Sequence, residues 1–200
     1  MRKGAILIIS APSGAGKTTI CRRLLAQRKD VRYSVSCTTR APRPGERNGK
    51  AYFFLEREDF KRKIARHEFL EWAMVHEEYY GTPRRFIEET VDAGRSVLLA
   101  IDVQGALAIR RKVPSAVLVF VMPPSIDELR ARLAARRDAH ESVAKRLAAA
   151  RAEIAAAKDY DYVVVNDDLD AAVSQIDAIL TAESLRTTRL DLAHLTPTHA

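Results

Sequence analysis

Ala5-Ile6-Leu7-Ile8-Ile9-Ser10-Ala11-Pro12-Ser13-Gly14-Ala15-Gly16-Lys17-Thr18-Thr19 carries an apolar run straight into a glycine-punctuated turn and then into residues that open a helix. The run reads as a strand buried on both faces, since nothing polar interrupts it. Gly14 and Gly16 let the backbone turn tightly and aim its N–H groups inward, where the start of the next helix adds its positive end. Lys17 can then reach terminal phosphates, and Thr18 stands where a hydroxyl can ligate Mg²⁺. The pattern is G-x-x-x-x-G-K-[ST] with its first glycine replaced by Ala11, the mildest change available there. This stretch points to a nucleotide-binding enzyme with an α/β fold.

Working outward, apolar runs recur at 5–9, 96–101, 116–121 and 162–165, and helical periodicity predicts helices over 17–27, 83–93, 104–111, 126–136, 141–158 and 169–185. Strands alternating with helices imply a parallel sheet flanked by helices. Two stretches break the rhythm. The Pro- and Gly-punctuated segment 38–50, followed by the strand candidate Tyr52-Phe53-Phe54, reads as an inserted, partly antiparallel lobe over 34–82. An arginine-rich segment over 125–156 reads as a mobile cover above the phosphate loop. The core is then expected from 4–33, 83–124 and 157–185, and the Thr-rich end, 186–200, as a frayed tail.

A chain of 200 residues that is 47% apolar and 30% charged can fold around one substantial core, which excludes disordered and fibrous classes. The net charge of +7 suits anionic partners. Met1-Arg2-Lys3 imitates the start of a secretion signal, but the apolar run is short and passes into Gly16-Lys17 without a cleavage region. With no segment long enough to span a membrane, a cytoplasmic protein is expected. Cys21 and Cys37 form no C-x-x-C pair and fit reduced thiols without chemistry.

The lobe carries the second ligand. Arg40 and Arg43 bracket Pro42, and two guanidinium forks on a stiffened loop suit a phosphate dianion, to which Tyr52 and Tyr80 can add hydroxyl bonds. Arg132 and Arg136, spaced i, i+4, share one helix face and could converge on transferring phosphates, with Asp127, Glu128 and Glu141 as competing local partners. The strand Val97-Leu98-Leu99-Ala100-Ile101 ends in Asp102, where open α/β sheets present residues to ligands.

Ser34-Val35-Ser36-Cys37-Thr38-Thr39-Arg40, Phe69-Leu70-Glu71-Trp72-Ala73, Tyr79-Tyr80-Gly81-Thr82, Ile101-Asp102-Val103-Gln104-Gly105 and Val165-Asn166-Asp167-Asp168-Leu169, with the phosphate loop, resemble the guanylate kinase family in order from Gly4 to Leu185. The resemblance implies a P-loop nucleoside monophosphate kinase fold and transfer of the γ-phosphoryl group of ATP to GMP with Mg²⁺. It implies ATP contacts from Ala11 to Thr19 and from Asn166, although Asn-Asp-Asp before a helix is also a good N-cap sequence. Guanine presents N1–H and its 2-amino group as donors and O6 as acceptor. The resemblance sets Glu71 against the donors and Ser36 and Thr82 against the oxygen, with Asp102 near the acceptor nucleotide and the metal. Lys17, Arg40, Arg132, Arg136 and Arg146 are the implied catalytic charges. Two departures stand out: Ala100 occupies a position often acidic in the family, and Arg137 one that is often glycine.

Competing readings are a kinase for another phosphorylated acceptor, a peptide-binding scaffold that has lost its donor site, and an RNA-binding protein. Retention of Lys17 and Thr18 argues against the second, and the lack of a stacking-aromatic motif against the third. No nucleic-acid or membrane partner is expected, and association with further copies of the chain is left open.

Overall fold

The computed structural model describes residues 2–75, 77–135 and 142–190. In chain order its elements are β1 (Ile6–Ser10), α1 (Lys17–Gln27), β2 (Val31–Tyr33), β3 (Cys37–Thr38), β4 (Phe53–Phe54), α2 (Arg57–Ala65), β5 (Phe69–Val75), β6 (Glu78–Pro83) and α3 (Arg84–Asp92). There follow β7 (Ser96–Ala100), α4 (Val103–Lys112), β8 (Val117–Met122), α5 (Ile126–Ala134), α6 (Val143–Ala155), β9 (Tyr162–Val165) and α7 (Leu169–Ser184). Two short 3₁₀ turns, Ala156–Asp159 and Thr187–Arg189, close α6 and follow α7.

Five strands form a sheet in the order β2-β7-β1-β8-β9, parallel throughout, with Ile8 level with Leu99 on one side and Leu118 on the other. The period of two in β1 explains its continuous apolar run: Leu7 and Ile9 pack on one face with α1 and α7, while Ile6 and Ile8 pack on the other with α3 and α4. β2 went unforeseen because Val31-Arg32-Tyr33 is three residues with an exposed arginine in the middle.

The inserted segment forms a second sheet, β4-β3-β6-β5, in which β5 and β6 pair antiparallel. Its core is aromatic: Phe60 of α2 stacks on Phe69 of β5, with ring centroids 4.4 Å apart. Gly81 makes this packing possible, because a Cβ there would lie 2.9 Å from the Phe60 ring. A third packing unit joins Leu129 and Leu133 of α5 to Leu147 and Ala150 of α6. Leu129 and Leu133 also close on the phosphate loop, since a Cβ on Gly14 would stand 3.1 Å from each.

The expected tail begins later than the sequence suggests. Arg189 is only 8% exposed and donates to the carbonyls of Glu183 at 3.0 Å, Gly4 at 3.3 Å and Ser115 at 2.8 Å. Lys3 N–H also donates to the Arg189 carbonyl at 2.9 Å. Residues 186–190 are therefore fastened to the chain start, and residues 191–200 lie outside the described residues. Arg189→Ala should destabilise the fold by about 1–3 kcal/mol, because three carbonyls lose a donor. Urea unfolding measures it, and an unchanged midpoint would show that the tie contributes nothing.

Candidate active site

The loop between β1 and α1 has its two glycines at positive φ, 91° at Gly14 and 96° at Gly16. Gly16 is the N-cap of α1 and offers no side-chain bond, whereas α4, α5, α6 and α7 are capped by Asp102, Ser125, Ser142 and Asp168. The Thr19 N–H is bonded to the Gly16 carbonyl at 3.0 Å, so of the first N–H groups of α1 those of Lys17 and Thr18 remain for a ligand. Ala11, Pro12, Ser13, Gly14, Gly16, Lys17, Thr18 and Thr19 line one cleft, while Ala15 is buried beneath it. Lys17 Nζ donates to the Ile101 carbonyl at 2.9 Å, so the end of β7 holds the ammonium over the loop. Burial lowers the Lys17 pKa, and the nearby carboxylates Asp102 and Glu153 oppose that shift.

A second cleft is lined by Ser36, Tyr52, Glu71 and Tyr80, and shares Lys17 and Asp102 with the first. Glu71 is 6% exposed, and the β5–β6 register sets Thr82 opposite it, so that the Thr82 hydroxyl donates to Glu71 Oε1 at 2.5 Å. Burial raises the Glu71 pKa; the Thr82 bond works against it, Asp102 reinforces it, and Lys112 lowers it again. Asp102 is exposed, and one carboxylate oxygen accepts the Gly105 N–H at 2.8 Å as the cap of α4, leaving the other for the clefts. Ala100 lines the same cleft with a methyl group.

Arg40 lies over the Tyr52 ring, 5.5 Å from its centroid, and Tyr52 meets Tyr80 edge-on at 5.9 Å. Its fork is held by Glu46, with Nη2 at 3.0 Å from both carboxylate oxygens. The Arg43 backbone N–H donates to the same carboxylate at 2.8 Å, and the Arg43 side chain is exposed outside the cleft lining. Neither arginine is part of the cleft lining itself: Arg40 lies against Tyr52, held by a carboxylate that a phosphate dianion can replace, and Arg43 meets the same carboxylate through its backbone.

From the cover, Arg132 lines the loop cleft, with Nε on Glu128 at 3.0 Å and its fork turned to the Asn166 carbonyl. The local ion pair and the site-facing orientation thus coexist. Arg146 Nη2 donates to Ser13 Oγ at 2.9 Å, while its buried Nη1 has no partner among the described residues. Arg136, Arg137 and Glu141 lie outside the described residues. Asn166 is buried, with its amide beneath the loop on the Ala15 carbonyl at 2.7 Å, and α7 is capped by Asp168 instead.

Two acidic residues escaped the sequence reading. Glu46 clasps Arg40, and Glu153 of α6 lines the loop cleft, where burial raises its pKa and Lys17 draws it back. Each stands where an anion belongs. Glu46 ends the stretch 42–46, which shares in the family resemblance, whereas Glu153 is marked only by the cations around it. Cys21 and Cys37 are free and buried, which pushes both thiols up to about 11 and keeps them protonated.

A family model described as guanylate kinase matches residues 3–183. The chain belongs to the guanylate kinase family. It is 52% identical over 188 residues to a guanylate kinase of Symbiobacterium thermophilum, covering 94% of this chain and 89% of that relative. A guanylate kinase of Caldanaerobacter subterraneus subsp. tengcongensis is 47% identical, with 94% and 92% covered. The crystal structure of guanylate kinase from Anaplasma phagocytophilum superposes with a TM-score of 0.82 at 39% identity, over 98% of this chain and 94% of that one. The guanylate kinase fold thus accounts for both sheets. Among the described residues no helix is long and apolar enough to cross a membrane.

Proposed function

We infer that the protein transfers the γ-phosphoryl group of ATP to the phosphate of GMP, giving ADP and GDP. The observation that carries this reading is the shared wall: Lys17 and Asp102 belong to both the loop cleft and the cleft that holds Glu71. Two phosphorylated ligands can therefore meet end to end across one ammonium. The acceptor oxygen is already anionic, so no strong base is required, and the work is alignment and charge stabilisation.

In this reading the loop N–H groups and Lys17 bind the donor phosphates, and Arg132 and Arg146 close on them from the cover. Arg40, with Tyr52 and Tyr80, takes the acceptor phosphate once it displaces Glu46, and exposed Arg43 can swing in to join it. Arg136 would add a further positive charge to the transferring phosphates. Glu71 accepts from the guanine donors while Ser36 serves O6, joined by Thr82 once its one hydroxyl proton turns from Glu71 to the base.

Mg²⁺ fits the residues present. Thr18 offers an exposed hydroxyl, Asp102 one uncommitted carboxylate oxygen, and among the described residues no cluster of three or more metal-binding side chains exists. Such a site suits an ion whose remaining ligands are phosphate oxygens and water. Bound there, Mg²⁺ supplies charge neutralisation to the phosphates. Both substrates suit the cytoplasm.

Coupled ADP release with GMP, AMP, CMP and UMP in turn tests the assignment. ADP should form rapidly with GMP and slowly with the others. Absence of GMP-dependent ADP release would refute it.

A further inference from the structure

Asn166, the residue after β9, touches three parts of the molecule at once. Its backbone N–H donates to the Met122 carbonyl at 2.8 Å, extending the β8–β9 ladder by one step. Its side chain is buried in a residue only 6% exposed, and Nδ2 donates to the Ala15 carbonyl at 2.7 Å. A carbonyl only accepts, so the facing atom of the amide is its nitrogen. Gly16 closes the other side of the fit: a Cβ there would stand 2.2 Å from Nδ2. The side chain is not needed by α7, whose first turn is capped by Asp168 through the Ala171 N–H at 2.7 Å.

A trans peptide points its C=O and its N–H in opposite directions. Holding the Ala15 carbonyl down onto Asn166 therefore turns the Gly16 N–H up, toward the cleft that Gly14, Gly16 and Lys17 line. The Asn166 carbonyl meanwhile accepts from both ends of the Arg132 fork, at 3.4 and 3.5 Å. Bonds that long steer the guanidinium and leave it free to move to a better acceptor. One residue thus orients donors on two sides of the same phosphates.

We propose that Asn166 is a positioning residue for the phosphoryl donor, fixing the Ala15–Gly16 peptide through its side chain and parking Arg132 through its main chain. The proposal rests on the assignment of the loop cleft to ATP. It explains why an asparagine is placed under the loop, where a hydrophobic residue would leave the Ala15 carbonyl buried without a donor.

Asn166→Ala truncates the amide, and Asn166→Asp keeps its volume while turning lone pairs toward the Ala15 carbonyl. Both are compared with the wild-type chain in GMP-dependent ADP release and in equilibrium titrations of ATP and of GMP. KM and Kd for ATP should rise about tenfold, while both constants for GMP stay within about twofold. A purely structural residue would move both ligands together or neither, and either result overturns the proposal. GMP binding by the variants verifies their fold; should the alanine variant not fold, the aspartate variant decides, and if neither folds the role is structural and the proposal falls. A wild-type chain that released no ADP with GMP would count against the assigned activity, and the ATP titrations would still decide the role of Asn166.

Discussion

Lys17→Ala should lower turnover by about 10³-fold or more while the chain stays folded. The ammonium stands between the two clefts, and no other described cation lines both. A fixed cation facing charge that develops on the transferring phosphoryl group is worth at least as much as one oxyanion donor, roughly 10²–10³ in rate. The cost to the fold is small for two opposing reasons. Truncation removes the burial penalty that lowers the Lys17 pKa, and it deprives the Ile101 carbonyl of its donor. The second loss is about 1 kcal/mol, and the first offsets part of it. Single-turnover kinetics and a thermal melt check the two halves separately. A folded variant with turnover within tenfold of wild type would remove Lys17 from the chemistry. Lys17→Arg should fail nearly as badly, because a planar fork cannot reproduce a point charge in a slot that ends on one carbonyl.

The elements that position this lysine were legible because their signals are local. An apolar run, two glycines and a lysine specify β1, the loop and α1, and the predicted helix over 17–27 coincides with the observed one. α2 was not foreseen, since Phe60 is its one buried residue. Glu58 and Asp59 in its first turn and Arg62 and Lys63 in its last match the helix dipole and could have marked it. β5 and β6 lack the alternation that announces a strand: buried Glu71 interrupts β5, and β6 opens on three half-buried residues, Glu78, Tyr79 and Tyr80. Harder still are pairings that only the fold creates. Arg189 reaching Gly4 and Ser115, Glu46 clasping Arg40, and Glu153 entering the loop cleft join residues with no shared sequence pattern. Those last two have a common logic: cations gathered to hold phosphates face carboxylates within the protein itself.

Glu71→Gln should abolish most guanine preference and leave the free protein as stable as wild type or more so. Burial raises the Glu71 pKa in the folded chain above its unfolded value, with the Thr82 bond only partly opposing it. The sign follows directly: a raised carboxylate pKa contributes stability below the unfolded value and loses it as pH rises through the folded value. Once ionised, the carboxylate is therefore a burden on the fold, which the neutral amide relieves, and the advantage of the variant in melting temperature should shrink as pH falls toward 4.5, the ordinary value for this group. Binding responds in the opposite sense. Two guanine donors need two acceptor oxygens, and the amide turns an N–H₂ toward one of them, a buried mismatch that lowers kcat/KM for GMP by roughly a hundredfold. AMP, with an acceptor at N1, gains what GMP loses, so the ratio of the two should collapse. The wild-type chain should lose GMP affinity as pH falls through the raised Glu71 value, since a protonated carboxyl presents a donor to a donor. Measured together, kcat/KM for GMP and AMP and melting curves from pH 4.5 to 7.5 separate these effects. An unchanged GMP-to-AMP ratio in Glu71→Gln would show that the base is chosen elsewhere in the cleft.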